Sequence, residues 1–269
     1  MKKKPLTLDE THAALSELLF EFDRICRKHG LRYSLDGGTM LGAIRHKGFI
    51  PWDDDVDVCM PRPDYEKFIG IVNGGGETEE HFVLSADRGK HGSYPFVKLM
   101  DKRYVVKCSN HIEVPYLFLD VFPLDGMPDG EKAIENEYKK DFRTAAFLLI
   151  AKWYTVESKW GFLLYIFGFW LYLIVACIGQ AHFVKKLNRM ALKYPYETSE
   201  IVGVRSWGRP KNCMPRESFD HTVEVDFEGR KLLTIADYDR YLTQKYGNYM
   251  QLPPEKNRKT QHCMKIYRV

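Results

Sequence analysis

The stretch from Ile50 to Val58, IPWDDDVDV, places four aspartates within five positions, between a proline–tryptophan pair and aliphatic valines. On a strand, residues two apart share a face, so Asp53, Asp55 and Asp57 point one way and Asp54, Val56 and Val58 the other. Neighbouring acids on one face stand roughly 7 Å apart, and at an effective dielectric of about 20 each ionised pair costs about 2 kcal/mol. Any fold this chain adopts must compensate that repulsion. A hard divalent cation does so, because carboxylate oxygens are the ligands Mg²⁺ and Mn²⁺ prefer. With Asp53, Asp55 and Asp57 turned to the cation, Asp54 faces away and is the dispensable acid; the alternative is a solvated acidic turn. A further isolated acid, Asp120, lies in the apolar run LFLDVF, where it has no evident structural task. A carboxylate from a separate strand is what a metal site built on Asp53, Asp55 and Asp57 requires.

The pattern around the acids alternates helix and strand. Residues 8–29 repeat apolar side chains at helical spacing (Leu15, Leu18, Leu19, Phe22, Ile25, Cys26) and stop at Gly30. LRYSLDGG reads as a strand running into a glycine turn, TMLGAIRHKG as a helix, DDVDVCM as a strand and RPDYEKFIGIV as a helix. FVLSA, YPFVKLMD, RYVVKC and YLFLDVFPLDG read as strands. Residues 1–128 thus predict an α+β core with a mixed β-sheet and flanking helices. Residues 129–195 turn helical and apolar. Residues 196–269 are mixed again, with a hairpin in HTVEVDFEGRKLLTI turning at Glu228-Gly229 and a helix in DYDRYLTQKYG.

DGGTMLGAIRHKG sets Gly37 and Gly38 before a helix start, where Thr39 and free backbone N–H groups can hold a phosphate. Arg45, His46 and Lys47 follow within reach of the same site. A strand, a glycine pair, a helix and then an aliphatic strand carrying D-x-D is the order used by nucleotidyltransferase-fold enzymes. Each basic residue taken singly also reads as a solvated surface side chain.

YSLDGGTMLGAIRHKGFIPWDDDVDVCMPRPDYEKF, residues 33–68, resembles the LicD family, which includes the fukutin-related proteins. The likeness continues in FVKLMDKR, LFLDVFPLDGMP and YLTQKYGNYMQLPPEKNRKTQH. The resemblance implies a nucleotidyltransferase-like fold that transfers phosphocholine from CDP-choline to teichoic acid or lipopolysaccharide sugars, or uses CDP-ribitol or CDP-glycerol instead. It puts the acid motif on Asp53, Asp55 and Asp57, the third carboxylate on Asp120, and basic positions on Lys98, Arg258 and His262. Asp55, Asp57, Asp120 and His262 are then the expected catalytic residues, and an aspartate or His262 the proton acceptor. Before the glycines, Asp36 departs from the uncharged residue of many relatives, as a head-group contact or a turn cap.

Net charge is only +4, which does not point to nucleic acid as a partner. Six cysteines without paired spacing argue against a zinc ribbon or a disulfide framework and favour a reducing compartment. No signal-peptide pattern opens the chain, so the expectation is a cytoplasmic protein. Residues 160–178, WGFLLYIFGFWLYLIVACI, carry no charge and as a helix extend about 28 Å. A transmembrane span would separate motifs that belong to one site. A core helix, or a peripheral anchor on the inner face of the membrane with lipid-linked glycan as acceptor, fits better.

Overall fold

The structure, a computed structural model, describes residues 4–85, 94–108, 114–153, 169–170, 173, 177–205, 208–260 and 264–269. The chain opens with α1 (Leu8–Lys28), capped by a reciprocal Thr7–Glu10 box. Its apolar stripe is the one read from the sequence: Leu15, Leu18, Leu19, Phe22 and Ile25 are fully buried, and each is worth roughly 1.5–3 kcal/mol.

That stripe belongs to the core of a mixed sheet built from β1 (Ser34–Leu35), β2 (Asp57–Pro61), β3 (Phe82–Leu84), β4 (Val97–Cys108) and β5 (Tyr116–Gly126). The order is β1-β2-β5-β4-β10, where β10 is Met264–Arg268. β2 and β5 run parallel, while β1 on β2, β4 on β5 and β10 on β4 are antiparallel. The last strand of the chain therefore completes the sheet of the first segment. α2 (Gly37–His46) and α3 (Arg62–Asn73) flank β2 in sequence, and a buried bidentate Arg62–Asp125 pair, with both bonds at 2.7 Å, ties α3 to the end of β5.

YPFVKLMD and RYVVKC, read as two strands, are one. The intervening polar residues form an irregularity between Asp101 and Val105, where the buried Asp101 carboxylate accepts from the Arg103 amide at 2.9 Å. DDVDVCM becomes a strand only at Asp57, because a turn at residues 51–52, closed by Asp53 N–H on the Ile50 carbonyl at 2.9 Å, curls the chain first.

Beyond the sheet, α4 (Glu131–Trp153) packs with α5 (Gln180–Ala191) through Phe147, Phe183, Val184 and Leu187. Their anchor is Arg205, 1% exposed and bonded to Glu137 and Asp141 of α4. Short strands β6 (Ile201–Gly203) and β7 (Met214–Pro215) extend from the end of β5, and a single turn, α6 (Glu217–Asp220), follows. The hairpin β8 (Thr222–Phe227) and β9 (Arg230–Ile235) turns at Glu228 and Gly229, with φ +46° and +76°. α7 (Tyr238–Tyr246) comes last before the polar tail. Most of residues 160–178 lies outside the described residues; among those described, no helix is long and apolar enough to cross a membrane.

Candidate active site

Register places three charged side chains in one row across the sheet. Asp57 on β2 lies opposite Asp120 on β5, and Asp120 lies opposite Lys98 on β4. Residues so paired share a face. Lys98 is 3% exposed, its ammonium in contact with the Asp120 carboxylate and 3.8 Å from the Phe118 ring centroid. It is neither a surface lysine nor an open anion-binding group. Burial, then the charges of Asp55, Asp120 and Asp36, push the Asp57 carboxyl well above the usual range, with Lys245 opposing.

Before β2 the acidic residues gather more tightly than alternation predicts. Asp53, Asp54 and Asp55 each offer a carboxylate oxygen, and these lie within 4.8 Å of one another. Asp54 is 5% exposed, and it is drawn into the trio rather than turned away. The two-residue period fails here because the strand has not begun. His12 of α1 steadies the loop, with Nε2 at 2.7 Å from the Asp53 carbonyl and its ring stacked on Phe49 at 4.1 Å.

The glycine pair opens α2 itself, so the helix starts two residues earlier than its sequence suggests. Gly37 has φ +53°, and a Cβ there would stand 3.1 Å from Asp57 Oδ2. A Cβ on Gly38 would stand 2.5 Å from Asp53 Oδ2. The absent side chains let both carboxylates approach the first turn, whose N–H groups lack intrahelical acceptors. Thr39 is buried, and its hydroxyl accepts from the Asp57 amide at 2.8 Å, which fixes where β2 begins.

The basic residues scatter. Arg45 shares a helix face with Gly37 but donates to the Tyr249 carbonyl at 2.7 Å and to His46 Nε2 at 3.0 Å. Burial lowers the pKa of both Arg45 and His46, and the neighbouring guanidinium lowers that of His46 further. Lys47 is not brought to the carboxylates: ten residues of helix rise put it about 15 Å from Gly37. Exposed, with φ +59°, it ends the helix, and its carbonyl accepts from Glu228 of the hairpin turn at 3.0 Å. Arg258 donates to the Pro253 carbonyl at 2.9 Å and lies 5.7 Å from the Trp52 ring, beside the acidic loop. His262 lies outside the described residues.

α7 supplies what the motifs did not name. Tyr241 donates to Asp36 Oδ1, and Lys245 Nζ lies 3.4 Å from the same oxygen. Asp36 makes no side-chain cap on α2, so the turn-cap reading gives way to this pairing. Burial pulls the Lys245 pKa down, but Asp36, Tyr246 and Asp57 together hold it above the ordinary value. The sequence did carry a signal. Lys245 occupies the i+7 position of the stripe Tyr238, Tyr241, Leu242, which places a lysine on a buried helical face.

These residues suit a hard divalent cation. The donor set is all carboxylate oxygen, the Asp57 charge is disfavoured in the protein alone, and the glycines hold open a space that a Cβ would fill.

A family model described as LicD/FKTN/FKRP, nucleotidyltransferase domain, matches residues 30–146. The lipopolysaccharide cholinephosphotransferase LicD of Haemophilus influenzae is 34% identical, over 98% of this chain and 99% of that protein. The ribitol 5-phosphate transferase FKRP of Homo sapiens is 62% identical over 116 residues, which is 42% of this chain and 21% of that protein.

Proposed function

The chain belongs to the LicD family and is a phosphotransferase, and from that premise we propose that it moves phosphocholine, or a similar phospho-alcohol, from a CDP-alcohol to a hydroxyl of a cell-surface glycan precursor. The observation that carries this reading is the Asp57–Asp120 pair abreast on parallel strands, beside the glycine-opened turn of α2. The near full-length likeness to a cholinephosphotransferase favours choline as the alcohol.

Mg²⁺ or Mn²⁺ held by Asp53, Asp55, Asp57 and Asp120, with Asp54 joining the loop carboxylates, would neutralise the donor's phosphates and acidify the incoming hydroxyl. The rest falls to the chain. The first turn of α2 faces the donor's phosphate oxygens with backbone N–H groups. Asp57 and Asp120, on adjacent interior strands, would hold that cation against the reacting phosphoryl group, and Lys98 keeps Asp120 oriented. The acceptor oxygen bonds to the phosphorus of the phospho-alcohol as the anhydride bond to CMP breaks. The acceptor's proton passes to a carboxylate of that row, and CMP leaves with the bridging oxygen. Arg258, close to Trp52 and the acidic loop, is placed to meet the departing nucleotide.

The test is a screen of CDP-choline, CDP-ribitol and CDP-glycerol with Mg²⁺ and a glycan acceptor, read by release of CMP. CMP with phosphocholine on the acceptor is the expected result. CTP, or an acceptor carrying the nucleotide, would identify a true nucleotidyltransferase and overturn the proposal.

A further inference from the structure

We infer that Lys245 binds the donor's diphosphate, its ammonium pairing with phosphate oxygens at the first turn of α2. This assignment rests on the CDP-alcohol reading above.

The geometry centres on the space beside Gly37. A Cβ on that glycine would lie 3.1 Å from Asp57 Oδ2, 3.5 Å from Lys245 Nζ and 3.9 Å from the Tyr246 hydroxyl. A carboxylate of the acidic row, an ammonium and a phenol therefore border one small volume that only glycine leaves open. A diphosphate bridging a cation-binding carboxylate and a helix N-terminus needs positive charge at this point.

Other basic groups do not border the space at Gly37. Lys98 is against Asp120, Arg45 donates to the Tyr249 carbonyl, Lys47 ends the helix at its far side, and Arg258 stands by Trp52, where it meets the departing nucleotide. Lys245 is held more loosely. Its distance to Asp36 is 3.4 Å, long for a charge-assisted bond, while Tyr241 already donates to the same Asp36 oxygen. Lys245 Nζ also donates to the Tyr241 hydroxyl at 3.3 Å, and of an ammonium's three donors one remains to meet a ligand. Its side chain is 18% exposed, which leaves it reachable from solvent.

The helix that carries it is fixed in place. Gln244 Nε2 donates to the Cys213 carbonyl at 2.9 Å, and Lys211 Nζ donates to the Lys245 carbonyl at 2.9 Å. The ammonium is thus presented from a helix end tied to the segment 211–213.

Lys245 acting solely as a counter-charge for Asp36 is separable by experiment. Binding of CDP in the presence of Mg²⁺ is measured by calorimetry for the wild type, K245R, K245M and the double variant D36N/K245M, alongside thermal unfolding. Losing one charged contact to phosphate should weaken CDP roughly ten- to a hundredfold in K245M, and K245R should stay within about tenfold of the wild type. The double variant removes both charges, so its unfolding temperature should recover while its CDP affinity stays low. Recovery of CDP affinity in the double variant would overturn the assignment alone. Failure of the wild type to bind CDP would overturn it together with the nucleotide-donor reading.

Discussion

Lys98 and Asp120 stand opposite each other on adjacent strands, with the ammonium in contact with the carboxylate and the Phe118 and Tyr94 rings 3.8 and 4.6 Å from the nitrogen. The pair joins the acidic row to the core. One neighbour of Asp120 in the sheet is an acid, Asp57, and the other is this enclosed lysine. The row therefore has one end rich in negative charge, where a cation belongs, and one end already neutralised.

Removing Lys98 should cost stability before it costs chemistry. Lys98→Met leaves the Asp120 carboxylate without its ammonium in a largely buried setting, a loss of about 3–5 kcal/mol. Adding Asp120→Asn should return much of that stability, because no charge is then left behind. Activity should stay absent in the double variant. Urea unfolding with CMP release on the same samples measures both. A single variant as stable as the wild type would show that the pair is not buried as described.

The glycine pair separates strain from crowding. Gly37 sits at φ +53°, so Gly37→Ala meets the left-handed penalty of about 1–2 kcal/mol as well as a 3.1 Å approach to Asp57. Gly38 has no such dihedral, and its cost is the 2.5 Å encounter with Asp53 Oδ2. Gly38→Ala should leave the unfolding free energy within about 1 kcal/mol of the wild type, since a loop carboxylate can move aside. It should nonetheless cut turnover by displacing Asp53. Equal unfolding midpoints for the two variants would count against the φ argument.

Helix periodicity and strand alternation were legible wherever burial decided them, as in α1, where every residue of the apolar stripe is in the core. The hairpin was legible because Glu228 and Gly229 occupy the left-handed region that its turn demands. Legibility failed at the acids. Alternation extrapolated backwards from Asp57 assumed a strand through Asp53, whereas the turn at residues 51–52 bends the chain and gathers Asp54 with its neighbours. It failed again for Lys98 and Lys245, because local sequence does not record which carboxylate a lysine meets across the fold. Lys98 pairs with an acid 22 positions away and Lys245 with one 209 positions away.

Acid should loosen the α4–Arg205 anchor. Burial alone would raise the Glu137 pKa, but hydrogen bonds from Lys140, Lys193 and Arg205 outweigh it and hold the group at about 2, against an ordinary value of 4.5. A depressed pKa in the folded state stabilises the protein above the unfolded value, and that contribution fades as pH falls from about 4.5 towards 2. Glu137→Gln should lower the unfolding temperature at pH 7 and flatten its dependence across that window. Asp141, raised by burial first and eased by Arg205, contributes with the opposite sign, so Glu137→Gln should be compared with Asp141→Asn. An unaltered acid limb in Glu137→Gln would remove this residue from the anchor.

Asp54 and Asp57 test whether the trio or the row dominates the proposed metal site. Asp57 faces Asp120 across the parallel strands and carries a charge the protein alone disfavours, so Asp57→Asn relieves repulsion. The variant should unfold at a temperature equal to or above that of the metal-free wild type, while CMP release falls by three orders of magnitude or about that. Asp54 is more buried, yet one of its oxygens lies within 4.8 Å of oxygens from Asp53 and Asp55. Asp54→Asn should therefore weaken Mn²⁺ binding, read by electron paramagnetic resonance without substrate, and raise the Mg²⁺ concentration for half-maximal turnover severalfold. Strand alternation makes the contrary forecast, in which Asp54 points away and its replacement is silent. Unchanged Mn²⁺ affinity in Asp54→Asn would restore that reading and confine the site to Asp53, Asp55, Asp57 and Asp120.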